Sequence, residues 1–249
     1  MKIIGSDYDG TLNYGGIDDK KLAAIEKWRN AGNIFALVSG RGPDGVLEIY
    51  EEKKFGCDFL VANNGAVILK PDGTEVFSAK CDGELARPLL EHLFLNGCEW
   101  AHVQTGFYCR VFADEKNCTK EGEYTLENLP FIPWFTQINT QLPSFEESAR
   151  VTAAAEKAFG DRLNPLQNGE CIDIIRNDMN KAKGLYVLME HLGAEYEDII
   201  AVGDNINDTH MIAEFRSYAM ENAVDSIKEL ANFITPGVAE LIEKELKED

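Results

Sequence analysis

The sequence predicts an α/β protein, a doubly wound parallel sheet interrupted by an inserted α+β module. Three observations carry this expectation. Continuous apolar runs, Ile34–Val38, Phe59–Ala62 and Ile199–Val202, suit strands buried on both faces. Stretches with apolar residues at helical spacing alternate with these runs. Residues 80–177 break the alternation, with polar–apolar patterning and aromatic-rich loops that suit a small antiparallel sheet with two helices. The predicted core is therefore residues 1–79 and 178–249, with the inserted module at 80–177.

Taken in order, residues 2–6 read as a short buried strand that ends in Ser6-Asp7-Tyr8-Asp9-Gly10-Thr11-Leu12, where Gly10 marks a turn. Leu22, Ile25, Trp28 and Ala31 recur at helical spacing, and Gly32 sits where that helix stops. The strand Ile34–Val38 runs into Ser39-Gly40-Arg41-Gly42-Pro43, a polar turn opening a helix over 44–54. Phe59–Ala62 is a third strand, followed by Asn63-Asn64-Gly65-Ala66. Val67–Leu69 and Val76-Phe77 flank Pro71-Asp72-Gly73 as a hairpin. Within the module, Leu85, Leu89, Leu90 and Leu93 mark a helix, and residues 107–112 and 135–138 read as strands. Ser144 with Glu147 reads as a capping box for a second helix, and 171–175 as a further strand. After Met179, Lys181 and Lys183 precede a helix carrying Leu185, Leu188 and Leu192 that stops at Gly193. The strand Ile199–Val202 leads into Gly203-Asp204-Asn205-Ile206-Asn207-Asp208. A strand at 218–220 and a helix at 224–231 follow, and Thr235 before Pro236 reads as the cap of the final helix.

The 249 residues carry 43 acidic and 24 basic side chains, a formal charge of −19. That field repels a duplex or an anionic membrane surface, so neither nucleic acid nor membrane is expected as a partner. It also opposes phosphorylated ligands, so an anion site must be built locally from a cation, a few basic side chains and backbone N–H groups. The six cysteines show no Cys-x-x-Cys spacing and no histidine at ligand spacing, which suits reduced thiols rather than zinc or disulfides. No apolar stretch reaches membrane-spanning length and no leader precedes the first strand, which predicts a cytoplasmic protein. No heptad pattern demands a partner, and a monomer or weak dimer is expected.

Four polar turns lie at or just after the ends of apolar strands: Asp7/Asp9, Ser39, Lys181 and Asp204/Asp208. In a parallel sheet such ends share one edge, where ligands bind. Together they offer paired carboxylates, a hydroxyl, a cation and metal ligands, the parts that phosphoryl transfer uses. Unscreened carboxylates about 4 Å apart repel by about 4 kcal/mol per pair at an effective dielectric near 20, so a divalent cation is implied. The acidic turn alone is equally compatible with an ordinary strand-to-loop junction. Arg110 sits on the alternating 107–112 stretch, where it faces either a ligand or solvent.

The order and wording of these turns resemble the haloacid dehalogenase superfamily. Asp7-Tyr8-Asp9-Gly10-Thr11-Leu12 is similar to its first motif, Ser39 to its second, Lys181 to its third and Gly203–Asp208 to its fourth. Ser39-Gly40-Arg41, Asn64-Gly65-Ala66 and the long insertion resemble the Cof-type sugar-phosphatase group with the large α/β cap (class IIB). The resemblance implies a Rossmann-like core, a specificity cap at 80–177 and an aspartyl-phosphate mechanism. It implies Asp7 as nucleophile, Asp9 as proton carrier, and Ser39 and Lys181 as phosphoryl-binding catalytic residues. Mg²⁺ is implied on Asp7, the Asp9 carbonyl, Asp204 and Asp208. Gly10, Thr11, Gly40, Arg41, Asn64 and Asn207 are implied around the phosphate. Lys181 is preferred to Lys183 as the motif lysine because it precedes a small residue and the helix. The implied substrate is a small phosphorylated metabolite, such as a sugar phosphate. A phosphomutase or phosphotransferase, and a non-catalytic sensor of phosphorylated metabolites, are the alternatives. Against a pure sensor stands Asp9, whose carboxylate only repels a bound phosphate unless it moves protons.

Overall fold

The structure is a computed structural model that describes residues 1–247. The chain divides into two compact units, one made of residues 1–77 and those from 180 onward, the other of residues 78–179. These junctions lie within two residues of the boundaries read from the sequence.

The first unit begins with β1 (Ile3–Asp7), α1 (Asp19–Asn30), β2 (Ile34–Val38), α2 (Pro43–Lys53) and β3 (Phe59–Ala62). A hairpin, β4 (Val67–Leu69) and β5 (Glu75–Ser78), follows and closes through Lys70 and Thr74. Every residue of β1 and β3 is buried, as the unbroken apolar runs require of strands covered on both faces. The side chain of Asp18 caps α1 by accepting from the Lys21 N–H.

The second unit contains β6 (Cys81–Asp82), α3 (Ala86–Leu95), β7 (Trp100–Gln104), β8 (Arg110–Phe112), β9 (Glu123–Thr125), β10 (Trp134–Phe135) and β11 (Gln137–Gln141). It continues with α4 (Phe145–Phe159), β12 (Leu163–Asn168) and β13 (Cys171–Arg176). Its six-stranded sheet has the order β12-β13-β11-β7-β8-β9. Buried residues of α3 and α4, including Leu89, Leu90, Val151 and Ala155, join Val103, Val111, Ile138 and Ile172 in a core separate from that of the first unit. Three sequence expectations shift here. The strand expected over 107–112 is only Arg110–Phe112, because Phe107 and Tyr108 are exposed. Strand β7 was not expected, nor was β12, whose Pro165 disguises it. Pro165 is tolerated because β12 lies at the sheet edge. At Ser144 the side chain does accept from the Glu147 N–H, at 3.2 Å.

The chain returns to the first unit through α5 (Lys181–Leu192), β14 (Ile199–Gly203), α6 (Thr209–Glu214), β15 (Arg216–Met220), α7 (Asp225–Leu230), β16 (Phe233–Thr235) and α8 (Val238–Glu245). The eight strands take the order β16-β15-β14-β1-β2-β3-β4-β5, parallel except that β4 runs antiparallel to β3. The chain winds from β1 towards β3 and, after the insertion, from β14 towards β16. The order therefore reverses beside β1, the position where open α/β sheets bind ligands. One expectation is corrected at the end of the chain. Thr235 is the last residue of β16, not the cap of α8; Gly237 holds that place, and the Thr235 hydroxyl bonds both its N–H and its carbonyl. Among the described residues, no helix is long and apolar enough to cross a membrane.

The turn after β3 and the start of α5 meet backbone to backbone. A Cβ on Gly184 would lie 2.6 Å from the Gly65 Cα, and one on Gly65 (φ +98°) would lie 2.2 Å from the Asn180 carbonyl oxygen. Glycine in a helix ordinarily costs about 1 kcal/mol relative to alanine. Gly184→Ala should instead destabilise the fold, by about 2 kcal/mol, in a denaturant titration; stabilisation would refute the close approach.

All six cysteines are free, and Cys57, Cys81, Cys98 and Cys109 are buried. Burial pushes the thiols of Cys57, Cys81 and Cys109 up to about 12 and that of Cys98 to about 11. Since the thiolate is the reactive form, a thiol reagent at pH 8 should label at most Cys118 and Cys171 in the folded protein and all six after denaturation. Rapid labelling of a third cysteine in the native state would contradict this core.

Candidate active site

Asp7 is the last residue of β1 and lies opposite Val38 at the end of β2. Ser6 lies opposite Val202 in β14, so Asp204 begins just beyond the neighbouring strand end. The parallel register thus brings the first acidic turn beside both Ser39 and the second acidic turn. Residues 8–12 make one wide helical turn broken at Asp9 and Gly10. Gly10 has φ +81°, and a Cβ there would lie 2.3 Å from Asp204 Oδ2. Only glycine allows both this backbone conformation and that approach. The Thr11 hydroxyl then donates to Asp204 Oδ1 at 2.6 Å.

Lys181, the first residue of α5, is fully buried between two carboxylates. Its Nζ donates to Asp7 Oδ1 at 2.7 Å and to Asp208 Oδ1 at 2.5 Å. Asp208 Oδ2 accepts from the N–H groups of Asp204 and Asn205, at 2.9 and 3.1 Å, and so closes the loop after β14. Lys183 is elsewhere, with its Nζ 5.0 Å from the Tyr186 ring centroid. Asn180 positions the start of α5 by accepting from the Lys183 N–H.

One carboxylate oxygen each from Asp7, Asp204 and Asp208 lie within 4.8 Å of one another. With one lysine among three carboxylates, the ionised cluster carries two formal negative charges in excess. Burial raises the Asp7 carboxyl well above the usual carboxylate range, with Lys181 pulling against it and Asp208 and Asp204 adding to it. Burial also raises Asp204, against the hydrogen bond from Thr11. For Lys181, burial opposes the charge, but Asp208 and Asp7 outweigh it and the ammonium is held above its ordinary range. These hard oxygen donors fit a small divalent cation. Both oxygens of Asp208 are already engaged, so Asp7 and Asp204 have the freer donors.

Asp9 departs from this cluster. Its exposed carboxylate takes the Arg41 fork, with Nε at 2.8 Å from Oδ2 and a second nitrogen at 2.9 Å from Oδ1. That bond is the main reason the Arg41 guanidinium is raised above its ordinary range. Arg41, expected beside the phosphate, thus rests on Asp9. Ser39 is buried; its hydroxyl accepts from the Arg41 N–H, and its carbonyl from the Asn64 N–H. Asn63 and Asn64 both have positive φ, near +50°, which makes this loop fold back on the Ser39 turn. Gly40 and Asn207 are half-buried in the two turns. Arg110 belongs to the second unit. Sequence reasoning missed Asn222, whose side-chain NH₂ donates to the Gly10 carbonyl, and the Val224 N–H, which donates to the Asp204 carbonyl. Their one signal is position, just after a buried strand.

A family model described as haloacid dehalogenase-like hydrolase matches residues 4–240. The chain belongs to this family. Relatives named 5-amino-6-(5-phospho-D-ribitylamino)uracil phosphatase are 34% identical (YwtE of Bacillus subtilis, 94% of this chain and 93% of the relative) and 24% identical (YbjI of Escherichia coli, 100% and 97%). A HAD/COF-like hydrolase structure from Plasmodium vivax superposes with a TM-score of 0.83 at 19% identity, over 100% of this chain and 96% of that one. That likeness shows the shared α/β fold.

Breaking a buried ion pair by removing one partner costs about 3–5 kcal/mol. Lys181→Met should therefore lose about that much stability without divalent cations, and Lys181→Met/Asp208→Asn should recover part of it. Equal stability of the single variant and the wild type in urea titrations would disprove the clamp.

Proposed function

We propose that this haloacid dehalogenase-like hydrolase is a Mg²⁺-dependent phosphatase that hydrolyses small phosphomonoesters through an aspartyl-phosphate on Asp7. The observation that carries the reading is the buried Asp7–Lys181–Asp208 clamp beside Asp204 at the strand ends. Lys181 fixes one oxygen of Asp7 and leaves the other to attack. The resemblance to named phosphatases supports the same reaction class, and supports a phosphorylated metabolite such as a sugar phosphate or a ribitylamino-pyrimidine phosphate as substrate.

In the proposed first step an Asp7 oxygen forms a bond to phosphorus while the bond to the leaving oxygen breaks. Asp9 gives that oxygen a proton. In the second step Asp9 takes a proton from water, the water oxygen bonds to phosphorus, and the Asp7–phosphorus bond breaks to release phosphate. Asp7 and Asp204 would hold the divalent cation, with Asp208 and the Asp9 carbonyl close by. When bound, it offsets the excess negative charge of the cluster and stabilises the charge on the phosphoryl oxygens. Ser39, Lys181 and the backbone from Gly10 and Thr11 to Gly40, Asn64 and Asn207 would surround those oxygens. Residues 80–177 would select the leaving group.

For the reaction, Asp9 has to leave Arg41. Both side chains are about half exposed or more, so this bond is of the inexpensive kind, about 0–1 kcal/mol. An acceptor hydroxyl that outcompetes water would turn the same steps into phosphoryl transfer, which product analysis with added sugars distinguishes.

Phosphate release from a panel of small monoesters should require Mg²⁺, stop with chelator and fall at least about 10³-fold in Asp7→Asn. Asp9→Asn should lose turnover but still bind Mg²⁺. Multiple turnover by Asp7→Asn at wild-type rates would end the covalent reading.

A further inference from the structure

In the second unit, Arg110 is a cation without an anion among the described residues. The register of β7 with β8 pairs Arg110 with His102 and Phe112 with Trp100, so these four side chains share one face of the sheet. The opposite face carries Ala101, Val103 and Val111, which are fully buried. The Arg110 Cζ lies 4.2 Å from the Trp100 ring centroid and 5.2 Å from that of Phe112. Two aromatic rings thus hold the guanidinium on the sheet. Its Nε is buried with no hydrogen-bond partner, and its side chain makes no ion pair among the described residues.

The carboxylate nearest in register does not serve it. Glu123 pairs with Arg110 across β8 and β9, yet its Oε2 accepts from the N–H groups of Thr119 and Lys120 and from the Thr119 hydroxyl. Elsewhere Arg150 bonds the side chain and carbonyl of Asn96. Arg29, Arg41, Arg87, Arg176 and Arg216 each sit on a carboxylate. The planar fork of arginine matches carboxylate and phosphate groups bidentately, and a guanidinium already fixed by rings loses little freedom on binding one.

We propose that Arg110, bracketed by Trp100 and Phe112, binds an oxyanion, a carboxylate or phosphate group. The group is that of a free metabolite anion, and this binding site does not rest on the phosphatase reading.

Trp100 stands against the site and reports on it. Succinate titrated into the whole chain without added divalent cation should change tryptophan emission saturably. Affinity should fall at least tenfold in Arg110→Gln and partly in Arg110→Lys, which keeps the charge but not the fork. Trp100→Phe should lose most of the optical change while calorimetry still detects binding. Circular dichroism and melting curves establish that each variant is folded, and if Arg110→Gln is not, Arg110→Lys decides. No saturable binding to the wild type, or binding by the deciding variant within twofold of it, overturns the proposal.

Discussion

One ammonium group ties this site together. Lys181 bonds Asp7, 174 positions away in sequence, and Asp208, 27 positions away. Both carboxylates and the lysine are buried, so each is tolerable only in the presence of the others. The clamp forms only when β1 and β14 are in register and α5 is seated against the Gly65 turn. The site and the parallel sheet are therefore one cooperative object. A slip of one residue in either strand would strand a charge in the interior.

The clamp nevertheless leaves a deficit. Three carboxylates face one ammonium, and burial already raises Asp7 and Asp204 towards protonation. A nucleophilic carboxylate is useful only when ionised, so the proposed chemistry calls for more positive charge beside these carboxylates, which the proposed divalent cation would supply. Global charge makes the need stronger: at −19, the chain attracts cations and repels the phosphorylated ligands proposed for it. Local devices must counter that field, as the divalent cation proposed for the site would.

Much of the first unit was legible in the sequence. Strands buried on both faces leave unbroken apolar runs, and Ile34–Val38 and Phe59–Ala62 appear in the structure with the same limits. The acidic turns were legible for a related reason: a carboxylate directly after such a run has no cheap place in a buried strand unless something pairs it. Side-chain partners were less legible, because they depend on rotamers and loop paths. Asn222 reaches Gly10 across 212 positions and carries no local pattern. Thr235 before Pro236 satisfied a local capping rule but was overridden by β16, whose pairing with β15 extends the strand through that residue. In the second unit, Pro165 concealed a strand because the sequence does not reveal which strand lies at an edge.

The contrast between the two aspartates of the first turn follows from their surroundings. Asp7 is buried and held by a lysine that has nowhere else to go. Asp9, two residues on, is exposed and held by an arginine that is itself half exposed. Water competes for the second pair and hardly at all for the first, so the same formal interaction is strong in one case and weak in the other. The proposed mechanism asks for this division. A nucleophile must stay in line with phosphorus through both steps, whereas a proton carrier must approach the leaving oxygen, withdraw and serve the water. The break in the turn at Asp9 and Gly10 gives the chain a way to place two carboxylates, with one residue between them, in environments this different.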